Sequence, residues 1–222
     1  MTIVIPAIIT KNFTQLENKV ALVKDYTEFV QVDITDGKFT HNMTWPYIGD
    51  EGEYAQLVTE EIGLPFWEEV DYEFHLMIEK PEETVGEWIK IGASRIIIQI
   101  ESTEKMQEII DQCKTAGVAV GIALKPSTDN KLLAPYTEQI DCIQCMGNEE
   151  LGRHGAPLDV SVLEKIKFLR ETYPDMNIAI DIGVHKETAG DLVDAGADTL
   201  VAGSAIFDTE NVAEAIRYFE EI

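Results

Sequence analysis

Three side chains have the types and the settings that could do chemistry: Asp33 in VQVDITDG (residues 30–37), His75 in YEFHLMI (72–78) and Asp181 in NIAIDIGV (177–184). Asp33 and Asp181 each stand where a buried-strand pattern meets a turn. Two carboxylates facing one ligand can remove a proton from one face of a carbon and return a proton to the other. Taken singly, each aspartate would read as a turn cap and His75 as a hydrogen-bonded core histidine. Taken together they make a divalent metal site, because imidazole and carboxylate suit zinc, iron, manganese or cobalt. Two glycine-bearing segments, DIGV (181–184) and AGSAIF (202–207), add backbone N–H groups that can approach an anion closely.

These residues need elements that bring them together. Short apolar runs at residues 3–7, 29–33, 72–78, 95–100, 118–124, 142–146, 177–181 and 199–203 read as eight strands. Between them lie amphipathic stretches such as TEKMQEIIDQCKTAG, DVSVLEKIKFLRETY, HKETAGDLVDAGAD and NVAEAIRYFEEI. Strands alternating with helices predict parallel pairing through right-handed crossovers, and eight of them predict a single (β/α)8 barrel over residues 1–222. An open doubly wound sheet is the alternative, but its glycine-rich fingerprint after the first strand is absent, as is a P-loop. In a barrel the strand ends share one mouth. Those ends are Ala7, Asp33, His75, Gln99 or Glu101, Lys125, Met146 with the following Gly147, Asp181, and Gly203 with Ser204.

The charge balance restricts the partners. Of the 222 residues, 41 are acidic and 17 basic, a net charge of −24 that repels phosphate backbones and anionic lipid. Nucleic acid and membrane are therefore not expected, whereas a small anion can still bind at backbone N–H groups. No apolar run approaches the length of a membrane span, and the MTIVIPAIIT opening lacks a signal-peptide pattern, so a cytoplasmic protein is expected. Cys113, Cys142 and Cys145 read as buried structural thiols, since the two cysteines of CIQC point to opposite faces of a strand. His41, His154 and His185 read as solvent-facing.

The blocks VDITDGKFTHN, FHLMI followed by KP, GIALKPST, VLEKIKFLR, IAID and AGADTLVAGSAIF occur in that order along nearly the whole chain. In them the sequence resembles the ribulose-phosphate 3-epimerase family of ribulose-phosphate-binding barrels. The resemblance implies inversion at C3 of a ketopentose 5-phosphate through an enediolate, interconverting D-ribulose 5-phosphate and D-xylulose 5-phosphate. It implies Asp33 and Asp181 as base and acid, a divalent metal held by the same two with His75, and phosphate at Gly183, Gly203 and Ser204. A homo-oligomer is implied as well.

Several site positions depart from the family pattern. Its His-Val-Asp is Gln31-Val32-Asp33 here, so Gln31 falls at a ligand position as an amide, a poor ligand for zinc or iron. The first-strand serine is Ala7, the methionine of the Asp-x-Met-Asp-Gly turn is Thr35, the double glycine after the seventh-strand aspartate is Ile182-Gly183, and the strand-4 histidine is Gln99. The loop after strand 6 reads MGNEELGRHGAPLD. Lys125 is a candidate to polarise a carbonyl in place of a metal. Two alternatives follow: another phosphosugar isomerase or aldolase of the same superfamily, or a non-catalytic phosphosugar-binding homologue.

Overall fold

Strong alternation and β-branched runs build eight strands, and they close on themselves. In the computed structural model, which describes residues 2–153 and 155–222, the order runs β1 (Ile3–Ile8), α1 (Phe13–Val23), β2 (Phe29–Thr35), α2 (Glu53–Val58), β3 (Asp71–Met77), α3 (Val85–Ile91), β4 (Arg95–Gln99) and α4 (Met106–Ala116). It continues through β5 (Ala119–Leu124), β6 (Cys142–Met146), α5 (Ser161–Thr172), β7 (Asn177–Asp181), α6 (Ala189–Asp194), β8 (Thr199–Ala202), α7 (Ser204–Phe207) and α8 (Val212–Glu220). Every strand pairs in parallel with its sequence neighbour, and β8 returns to β1. This is the (β/α)8 barrel expected from the alternation. The β5–β6 crossover carries only a short 3-10 turn, Asn130–Leu133, in place of an α-helix.

Local signals set the helix ends. Asn12 opens α1 by accepting the Gln15 N–H at 2.9 Å, and Asn211 opens α8 by accepting from Glu214. Gly117 closes α4 at φ 73°, a left-handed position where a Cβ would be strained.

The alternation sorts the strand residues into two cores. Outward-facing Val30, Val32, Ile34, Tyr72, Phe74 and Leu76 pack under the helices. Inward-facing Ile5, Ala7, Ala179 and Val201 form one interior cluster, and Met77, Ile97, Ala123, Cys142 and Met146 form another. Between these apolar clusters the barrel axis is polar. Cys142 faces the interior and Cys145 the helices, as the strand period requires. All three thiols are buried and unpaired.

Candidate functional site

Six inward-facing side chains meet on the axis: Gln31 and Asp33 from β2, His75 from β3, Gln99 from β4, Gln144 from β6 and Asp181 from β7. All are buried. β2 extends two residues past Asp33, because its register with β3 continues from Asp33↔His75 to Thr35↔Met77. Asp33 and His75 therefore sit one layer below the rim, whereas Asp181 ends its strand.

The Gln31 amide joins the two carboxylates, its Nε2 donating to Asp33 Oδ1 at 2.8 Å and to Asp181 Oδ2 at 3.0 Å. His75 Nδ1 faces the same two oxygens at 3.4 and 3.3 Å. Gln144 Nε2 lies 3.3 Å from both His75 Nδ1 and Asp181 Oδ2, and Gln99 Nε2 lies 2.9 Å from His75 Nε2. The Oε1 atoms of Gln31, Gln99 and Gln144 are all buried without a hydrogen-bond partner. Burial raises the Asp33 pKa, and the nearby Asp181 charge raises it further against the hydrogen bond from His75. For His75, burial opposes the charged form, but hydrogen bonds and charge from Asp181 and Asp33 outweigh it and push the pKa up to about 9.

Above the axis a cavity of about 50 Å³ opens to the mouth. Asp33 and Asp181 form its floor; Ala7, Met146, Gly183, Gly203 and Ser204 are among its walls; Gly152, Arg153 and Ala156 of the β6–α5 loop reach over it. That volume holds a few waters.

The sequence matches the model of the Ribulose-phosphate 3 epimerase family over residues 3–207. The chain belongs to this family. It is 32% identical to the ribulose-phosphate 3-epimerase of Schizosaccharomyces pombe over 213 residues, covering 95% of this chain and 89% of the relative. It is 30% identical to that of Bacillus subtilis over 220 residues, covering 96% and 95%. Among solved structures it is similar to 3-hexulose-6-phosphate synthase from Salmonella typhimurium, with a TM-score of 0.72 at 15% identity, covering 100% of this chain and 97% of that one. At that identity the likeness speaks for the fold alone.

Within this family frame, most residues singled out from the sequence converge. Asp33, His75 and Asp181 have ligand atoms within 4.8 Å of one another and could hold a metal ion. Gln31 joins them, and Ala7, Met146, Gly183, Gly203 and Ser204 border the cavity above the two aspartates. Gly147 stands behind it: its N–H donates to the Asp181 carbonyl at 2.6 Å, and a Cβ there would lie 2.0 Å from the Ile182 carbonyl oxygen. Lys125 is not brought in. Its Nζ lies over the Phe39 ring, 5.1 Å from the centroid, and it does not line the cavity. The turn-capping task that an aspartate could have taken in VDITDG falls to Asp36, which accepts from the N–H groups of Lys38, Phe39 and Glu79.

Three contributors escaped the sequence reading. Gln144 was hidden in an apolar strand, although its period-2 relation to Met146 puts both on the inner face. Arg153 lies in a loop with no regular pattern. His185 is half-buried at the cavity edge rather than solvent-facing, its N–H bonded to Thr188 Oγ1. His41 is exposed as expected, and His154 lies outside the described residues. Ile182 and Gly183 occupy successive left-handed positions, φ 78° and 77°, the first of them with a β-branched side chain. Such a residue is strained there. The Ile182 side chain packs against the interior cluster that includes Met77, Met146 and Leu151.

Proposed function

We propose that this chain is an isomerase that epimerises a phosphorylated ketose, interconverting ribulose 5-phosphate and xylulose 5-phosphate by inversion at C3. The observation that carries this reading is the pair of buried carboxylates, from strands on opposite sides of β8 and β1, that share one amide and floor a single cavity. Family membership and the names of the relatives support it.

In this reading the substrate's C3 lies over the two carboxylates. Asp33, whose pKa burial and the Asp181 charge raise, carries a proton into the reaction, and Asp181 accepts the C3 proton. Return of a proton from Asp33 completes the inversion, and the reverse reaction exchanges the roles. With no ion between them, the Gln31 NH2 group donates to an oxygen of each carboxylate. The phosphate lies toward Gly183, Gly203 and Ser204, where the left-handed backbone at Gly183 leaves no space for a side chain: a Cβ would stand 2.7 Å from Leu158 Cα. The β6–α5 loop then covers the bound sugar and excludes water.

The donor set fits a divalent cation. Two carboxylate oxygens and an imidazole nitrogen converge, and the unpartnered Gln31 Oε1 can exchange places with Nε2 by a half-turn of the amide and offer a fourth oxygen. Asp33, His75, Asp181 and Gln31 would hold the ion, which when bound supplies Lewis-acid stabilisation of the developing oxyanion.

Deuterium exchange at C3 of ribulose 5-phosphate in heavy water, followed by NMR with and without added metals, tests the reading. Exchange with formation of xylulose 5-phosphate is expected, and Asp33→Asn is expected to slow it by roughly 10²–10⁴-fold with the fold intact. Wild-type rates in that variant would exclude proton transfer by Asp33. No exchange with any metal would turn the reading toward another phosphorylated ketose or toward binding without turnover.

A further inference from the structure

Gln99 touches neither aspartate, yet its side chain is buried and ends 2.9 Å from His75 Nε2, while Nδ1 is the ring nitrogen turned to the carboxylates. No other side chain bonds Nε2 among the described residues. The second amide atom of Gln99, Oε1, is buried with no partner. The two ends of an amide make opposite demands on an imidazole. An NH2 group facing Nε2 needs a lone pair there, which leaves the proton on Nδ1. A carbonyl facing Nε2 accepts an N–H, which leaves the Nδ1 lone pair directed at Asp33 Oδ1 and Asp181 Oδ2. A nitrogen that binds a cation must present its lone pair, and metal-binding histidines donate their other N–H to an acceptor.

We propose that Gln99 is the positioning residue of His75: with a divalent cation among Asp33, His75 and Asp181, the Gln99 carbonyl accepts the Nε2–H and so commits Nδ1 to the ion. A half-turn of the amide brings the unpartnered Oε1 to Nε2 without moving the backbone. Gln99 thereby decides whether the site is a carboxylate pair bridged by N–H groups or a cation site. The inference rests on the proposed function only for the presence of a cation.

The experiment uses the full chain and zinc(II) alone, with no sugar. Zinc affinity is measured by competition with a chelator, and the His75 tautomer is read from long-range 1H–15N correlations of the zinc-loaded protein. The wild type is expected to show zinc on Nδ1 and hydrogen on Nε2. Gln99→Leu, which removes both amide ends, is expected to weaken zinc roughly 10–100-fold. Gln99→Glu, which can only accept, is expected to keep or tighten it. Unchanged affinity in Gln99→Leu overturns the proposal. Should that variant not fold, a tenfold or greater loss in Gln99→Glu overturns it as well, because the donor end would then be the useful one. Absence of zinc from His75 in the wild type also overturns it, whereas C3 exchange without metal would leave the epimerase reading standing.

Discussion

Asp33 and Asp36 lie three residues apart at the end of β2 and serve different ends. Asp33 faces the axis; Asp36 satisfies three backbone N–H groups, two in its own loop and one at Glu79 after β3. Hydrogen bonds to a charged acceptor contribute more than neutral ones, and removing the acceptor leaves these donors without a protein partner. Asp36→Ala is therefore expected to cost about 2–3 kcal/mol, read as a lower guanidinium midpoint with an unchanged slope. A second expectation concerns the thiols. Burial pushes Cys142 and Cys145 up to about 12 and Cys113 up to about 11, from 9.0 for a free thiol. The folded state thus favours the neutral thiols, so this contribution to stability is complete below pH 9 and declines as pH rises toward 11 to 12. At pH 8 a disulfide reagent should label the three cysteines only as fast as the protein unfolds. Rapid labelling of the native protein would contradict their burial.

At the scale of elements, two kinds of contact hold the strands in register around the axis. At the bottom of the barrel Glu73 of β3 pairs with Arg95 of β4, opposite it in the ladder. Glu73 is fully buried; desolvation raises its pKa, and the Arg95 charge opposes that rise. Arg95→Met would leave that carboxylate without its cation, at a cost of about 3–5 kcal/mol in thermal or denaturant unfolding. If the loss stayed below 1 kcal/mol, Glu73 would have another means of neutralisation. At the top, Asn42 Nδ2 ties the β2–α2 loop to the Gly152 carbonyl of the β6–α5 loop at 3.0 Å.

Over the whole molecule, the net charge of −24 makes the folded state repel itself. Added salt screens that repulsion, with a Debye length falling from about 10 Å at 0.1 M to about 3 Å at 1 M. The melting temperature should therefore rise between 0.05 and 1 M sodium chloride; a flat or falling profile would mean that attractive pairs offset the surplus acid. No helix among the described residues is long and apolar enough to cross a membrane. Strand number, strand order and the inward residues of β2, β3 and β7 were legible in the sequence by itself, because side-chain alternation and turn residues are local properties of a strand. So were the family blocks and the two aspartates with His75. What only the tertiary structure decided is who meets whom: Gln144 and His185 come to the site, Lys125 stays over Phe39, Asp36 takes the capping, and three glutamine carbonyls end without partners. These depend on the stagger with which eight strands close, a register set between residues as far apart as Gln31 and Asp181, and no local pattern in the chain encodes that distance.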